Sequence, residues 1–154
     1  MILRQHSGPQ IELLVLGYQF PEGLADWHDL NWLNVLVRVK TSGADWTAGP
    51  DPCLLTTEAL ALAGWLRAAA GGRVVAPLVF VEPALSFAVA RQSDGQAVPV
   101  AVTLRHAFVK NQDLVAVPVT ELPLVLHVAP ADLVAAAADL ETDLLHFPVR
   151  QSAP

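Results

Sequence analysis

Leu33-Asn34-Val35-Leu36-Val37-Arg38-Val39-Lys40 decides the fold class of this chain. Leu33, Val35, Val37 and Val39 recur at every second position, with Asn34, Arg38 and Lys40 between them. Side chains alternate between the two faces of a strand, so this spelling is a half-buried β-strand. The same period extends upstream, where Ile11, Leu13 and Val15 share a face and Glu12 points the other way. Downstream, Leu78 to Glu82 is a short apolar run broken by Pro83, and Leu85, Phe87 and Val89 resume the alternation. Ser93-Asp94-Gly95 is a turn signal, because Asp-Gly accepts positive φ at little cost. Val98, Val100, Val102 and Leu104 then alternate with Pro99, Ala101, Thr103 and Arg105, completing a hairpin. Pro99 places that strand at a sheet edge or marks its start. Leu114–Val119 and Leu122–Val128 read as two more strands.

Two segments switch to the helical period. The first starts at Thr56 or Thr57, either of which can cap exposed N–H groups, and Glu58 suits the positive end. Its inward stripe is Ala59, Leu62, Ala63, Leu66 and Ala69, and Gly71-Gly72 ends it. The second starts at Pro130, a favoured first-turn residue. Leu133, Ala136, Ala137, Leu140 and Leu144 form its stripe, Asp132, Asp139 and Asp143 an acidic edge beside it, and Pro148 the stop. About seven strands and two helices that do not alternate regularly predict an α+β fold with a mainly antiparallel β-sheet. A β-sandwich with added helices is the near neighbour. The 154 residues fit one domain, 1–154, large enough to hide roughly 70% of its unfolded surface. Hydrophobic residues are 53% and mean hydropathy is +0.43, which excludes intrinsic disorder.

Nine Lys and Arg against fifteen Asp and Glu give a net charge of −6. Such a chain repels phosphate backbones unless it carries a basic patch, and no two basic residues are adjacent. Nucleic acid and anionic membranes are therefore disfavoured as partners. From Asn111 to Pro154 six carboxylates face Arg150 alone, which favours a basic partner or simple solubility. Cys53 is the single cysteine, so no internal disulfide forms, as expected in a reducing cytoplasm. The N-terminus lacks the long apolar run of a signal peptide. The apolar stretch near the C-terminus is interrupted by His127, Pro130 and Asp132, short of the ~20 residues that span a bilayer. A soluble cytoplasmic protein is expected.

Local chemical signatures are sparse. The chain has no Gly-rich dinucleotide loop, no phosphate-binding Gly-Lys-Ser/Thr and no paired cysteines. A metal site would need His106 and His127 to converge across paired strands; the plainer reading makes each a rim residue. No metal and no cofactor are expected. Cys53 lies just before a helix, where thiolate is favoured, yet free cysteine is usually buried packing. Asp26, His28 and Asp29 are a polar cluster that could bind a ligand or do acid–base work. The alternative is that Asp29 and Asn31 hold the loop through Asx-type bonds. Glu82, in an apolar neighbourhood, needs a cationic or backbone partner if buried. Trp27, Trp32, Trp46 and Trp65 could line a ligand box or fill the core.

One ordered set of segments carries more. Leu16-Gly17-Tyr18-Gln19-Phe20-Pro21 is followed by Asp29-Leu30-Asn31-Trp32-Leu33, then by Pro52-Cys53-Leu54-Leu55-Thr56 and the helix with Leu62, Trp65 and Leu66. Phe80-Val81-Glu82-Pro83-Ala84-Leu85-Ser86-Phe87 and Phe147-Pro148-Val149-Arg150 complete it. The set resembles the WapI-like immunity protein family of bacteria; Arg91 to Leu124 contributes nothing to the match. The resemblance implies a small cytoplasmic protein, not an enzyme, that neutralises a toxin domain, in the founding type a tRNA-cleaving nuclease. It transfers no catalytic residues, and Tyr18, Asn31, Trp32, Glu82 and Phe87 read as architectural. An acidic inhibitor complements the basic groove of a nuclease, and Asp132, Asp139, Glu141 and Asp143 are the candidate partner-binding residues. These four carboxylates would otherwise simply solubilise a helix. Two other readings stand beside this one: a ligand-binding protein or enzyme using Asp26, His28 and Asp29, and a homo-oligomer joined through Val134 and Leu145 on the last helix.

Overall fold

The structure, a computed structural model, describes residues 1–22, 26–90, 96–105, 107–110 and 121–151. One sheet contains β1 (Ile2–Arg4), β2 (Gln10–Tyr18), β3 (Trp32–Lys40) and β4 (Asp45–Leu55). The other contains β5 (Leu78–Val79), β6 (Leu85–Val89), β7 (Val98–Arg105) and β8 (Glu121–Val128). In both sheets the strands follow in sequence order, each antiparallel to the next. Two long helices, α2 (Thr56–Ala70) and α4 (Pro130–Leu144), and two short ones, α1 (Trp27–Asn31) and α3 (Ala107–Lys110), complete the described elements. The class is α+β, with eight strands among the described residues. Leu114–Val119 and the Ser93-Asp94-Gly95 turn lie outside the described residues.

β3 is central to the first sheet. Leu33, Val35, Val37 and Val39 are buried, whereas Arg38 and Lys40 are exposed. Ile11 faces Val39, Leu13 faces Val37 and Val15 faces Val35, so the apolar rows of β2 and β3 coincide on one face. β4 was not foreseen, because Gly49-Pro50-Asp51-Pro52 destroys its alternation. The strand lies at the sheet edge, where prolines withdraw no interior ladder bond, and its register against β3 shifts twice. Gly49 has φ +96°, and a Cβ there would sit 2.7 Å from the Val35 carbonyl oxygen and 3.2 Å from the Phe108 ring. Backbone and ring together require glycine at this position.

In the second sheet Leu85 faces Leu104, Phe87 faces Val102 and Val100 faces Leu126. β7 has neighbours on both sides, so Pro99 marks a strand start and not an edge. Its carbonyl accepts a 2.8 Å bond from the Ala90 N–H.

The start of α2 also corrects the sequence reading. Leu55, and neither threonine, is the N-cap. The Glu58 carboxylate accepts the Leu55 N–H at 2.9 Å, while Thr56 is buried with its hydroxyl 3.4 Å from the Asn31 carbonyl oxygen, to which it donates. The helix ends as expected, with Gly72 at φ +70°. The predicted stripes of α2 and α4 are buried at every position, and the two helices pack on each other. One apolar cluster joins Leu13 and Val37 of the first sheet, Phe87, Val102 and Leu126 of the second, and Leu62, Leu66, Leu133 and Leu140 of the helices. Each such side chain contributes roughly 1.5–3 kcal/mol through burial. No described helix is long and apolar enough to cross a membrane.

Candidate functional site

Helical spacing places Asp132, Asp139 and Asp143 along one edge of α4, beside its buried leucines. The structure divides the four candidate carboxylates into two kinds. Glu141 is held by Arg67 of α2: Arg67 Nε donates to Oε1 at 3.0 Å, and a second guanidinium N–H donates to Oε2. These hydrogen bonds hold the Glu141 carboxyl below the usual carboxylate value. Asp143 lies 3.6 Å from the Met1 ammonium, which also donates to the Leu13 carbonyl. Asp132 and Asp139 are exposed. They line an open groove of about 330 Å³ with Ile2, Arg4, His6, Ala135 and Ala136. One pair therefore ties α4 to its surroundings, and the other pair faces outward. Val134 on this helix and Leu145 just past its end are also exposed, Leu145 to 78%.

The Asp26, His28 and Asp29 cluster is the N-terminus of α1. Asp26 Oδ1 accepts the backbone N–H of His28 at 2.8 Å and of Asp29 at 3.4 Å. The bond from the His28 N–H is the main reason the Asp26 carboxyl sits below its ordinary value. His28 Nδ1 is 3.3 Å from the same oxygen, with both side chains more than half exposed. The Asx-type role assigned to Asp29 thus falls to Asp26, three residues earlier, whose carboxylate caps α1.

Asn31 does hold its loop, and does more. Its amide donates to the Trp27 carbonyl at 2.8 Å and the Arg150 carbonyl at 3.0 Å, and it accepts the Arg150 N–H at 2.8 Å. The Arg150 guanidinium donates to the Phe20 carbonyl at 3.0 Å and lies 3.5 Å over the Tyr18 ring. Tyr18 Oη donates to the Pro148 carbonyl. Burial raises the Tyr18 pKa, opposed by the Arg150 charge. Tyr18, Asn31 and Arg150 are thus a clasp that fastens the C-terminal segment. Phe87 is an architectural residue of the second sheet, wholly buried between Trp65 and Phe80 with ring centroids 6.2 and 6.1 Å away.

Cys53 is wholly buried where β4 slips against β3. Burial foremost, then the charges of Asp51, Glu82 and Glu58, push its thiol far above its ordinary value. A nucleophile needs the opposite shift, so Cys53 is packing. Glu58, missed as a bridging residue, accepts the Val81 N–H at 2.7 Å with its second oxygen. One carboxylate thereby joins the start of α2 to the segment after β5; only long-range folding brings Val81 to it. Trp65 donates to the Ala76 carbonyl at 2.8 Å, and Trp46 packs on the core with its indole nitrogen unpartnered among the described residues. Both serve packing. His127 is exposed on β8, and His106 lies outside the described residues. Among the described residues no three His, Cys, Asp or Glu side chains converge as metal ligands.

The model of the immunity protein WapI-like family matches residues 1–148 of the chain. No curated protein and no solved structure matches it.

Proposed function

The chain belongs to the WapI-like immunity protein family, and from that membership we propose that it binds and neutralises a cognate bacterial toxin domain without catalysing a reaction. The family match over 148 of 154 residues carries this reading. The net charge of −6 fits it, because a toxin that cleaves nucleic acid presents a basic groove to phosphate. The outward carboxylates Asp132 and Asp139 are the part of α4 that such a groove would meet. Neither takes part in an ion pair among the described residues, which leaves them to steer the encounter. Complex formation would take place in the cytoplasm, where a single reduced cysteine is stable.

The test is calorimetry and stopped-flow binding with the toxin domain encoded beside this chain's gene. Asp132→Asn with Asp139→Asn is expected to slow association several-fold at about 50 mM salt and hardly at all at about 500 mM. Asp143 and Glu141 are unsuitable, since their removal also loosens the N-terminus or α2. Absence of any complex would sink the immunity reading. An unchanged association rate would sink the α4 surface alone.

A further inference from the structure

An antiparallel sheet that buries one face usually carries charged and polar residues on the other. The first sheet obeys this: opposite its buried row stand Glu12, Arg38, Lys40 and Asp45, joined in two ion pairs. The second sheet does not. Phe87, Val102, Leu104 and Leu126 point into the core, and the positions between them point outward. Ser86, Thr103 and Pro123 form one outward row across β6, β7 and β8, and Ala88, Ala101 and Val125 form the next. Val79 on β5 extends the first row. The only Lys, Arg, Asp or Glu side chains on the four strands are Arg105 and Glu121, at one end of the face. Arg105 donates to Glu121 at 2.8 Å and to the Ser86 hydroxyl at 3.0 Å, so these polar groups are satisfied within the face.

Charge and shape together choose what covers this face. Two copies of a chain carrying −6 repel each other at long range, yet here the two formal charges cancel, so the copies meet without like charges opposed. A basic protein would find no free carboxylate on these strands, and an acidic one no free cation. In shape, the two central strands present the short side chains Ser86, Ala88, Ala101 and Thr103. Val79 and Val125, 61% and 47% exposed, stand on the two outer strands. A flat face of this kind matches its own copy. A two-fold axis along the strands sets the β5 side of one copy over the β8 side of the other, and the valines then flank a centre of small side chains.

We propose that the outward face of the second sheet is a self-association surface, packing sheet to sheet against the same face of a second copy of this chain. The contact sequence reasoning favoured, through Val134 and Leu145, is less suitable, because a two-fold axis there gathers Asp132 and Asp139 of both copies. Four strands about 4.8 Å apart and some five residues long offer roughly 400 Å² per copy, about half a standard interface. The dimer is therefore weak and concentration-dependent. This inference does not depend on the immunity reading.

Sedimentation equilibrium of the full chain from about 5 to 500 μM is the test. A monomer–dimer equilibrium is expected, changed less than about twofold between about 50 and 500 mM salt. Ala101→Lys and Ala101→Glu, outward at the centre of the face, are each expected to weaken it at least about tenfold. An equimolar mixture of the two is expected to regain association as a heterodimer, because a two-fold axis brings the centres of both faces together. Val125→Lys, at a position open enough to tolerate charge, is expected to weaken the dimer as well. A monomer throughout that range, dimers that Val125→Lys leaves unchanged, or dimers lost instead on Val134→Lys would each overturn the proposal. So would a mixture of the two Ala101 variants, both folded by circular dichroism, that stays monomeric; if either fails to fold, Val125→Lys decides. Loss of toxin-domain binding by Val125→Lys in a chain that never dimerises would give the face to the toxin and overturn the proposal too.

Discussion

At the scale of single residues, Asn31 shows how a short polar side chain governs distant structure. It is wholly buried and satisfies three backbone groups, two of them 119 residues away on Arg150. Asn31→Ala leaves these groups unpaired in a dry site and is expected to cost about 2–4 kcal/mol, measured by urea unfolding. Cys53 gives the pH dependence. Its folded pKa is raised, so the stabilisation it confers is complete below the unfolded value of 9.0 and is lost as pH rises past it. The loss approaches about 1.4 kcal/mol per pH unit above that value. The stability of the native chain is expected to fall more steeply than that of Cys53→Ala between about pH 8 and pH 10.5, so parallel curves would contradict the burial argument. The sequence singled out both residues. What Asn31 reaches was not legible, since no local pattern joins position 31 to position 150.

At the scale of elements, legibility followed periodicity. β3, β7 and both long helices were readable because one buried face imposes period 2 or 3.6 on the chain. β8 and the β6–β7 hairpin were readable for the same reason. β4 was not: two prolines, a glycine and two register shifts remove its period, and the strand persists because its outer edge needs no partner. β1 is only three residues long, too short to show a period. The capping of α2 was misread because Glu58 performs by side chain what Thr56 and Thr57 were expected to do. Gly49→Ala tests the β4 account. The positive φ and the 2.7 Å approach to the Val35 carbonyl predict a loss of about 2–3 kcal/mol in chemical denaturation. Faster hydrogen exchange in β4 than in β2 would locate that loss.

At the scale of the whole molecule, a single apolar cluster spans both sheets and both long helices. Heating is therefore expected to give one cooperative transition, with far-ultraviolet circular dichroism and tryptophan fluorescence superimposing; two separated midpoints would mean the sheets melt independently. The sequence by itself determined the α+β class, the inward faces, the acidic balance and the family, because these depend on local period, on charge count and on the order of short segments. Tertiary structure alone decided which carboxylates are engaged and which are outward, and that the Cys53 thiol is sealed off. Those properties arise from pairs such as Arg67 with Glu141 and Glu58 with Val81, 74 and 23 residues apart, which meet only when the elements pack. Periodicity specifies the face an element buries, whereas the identity of what it meets there is set by the closing of the chain.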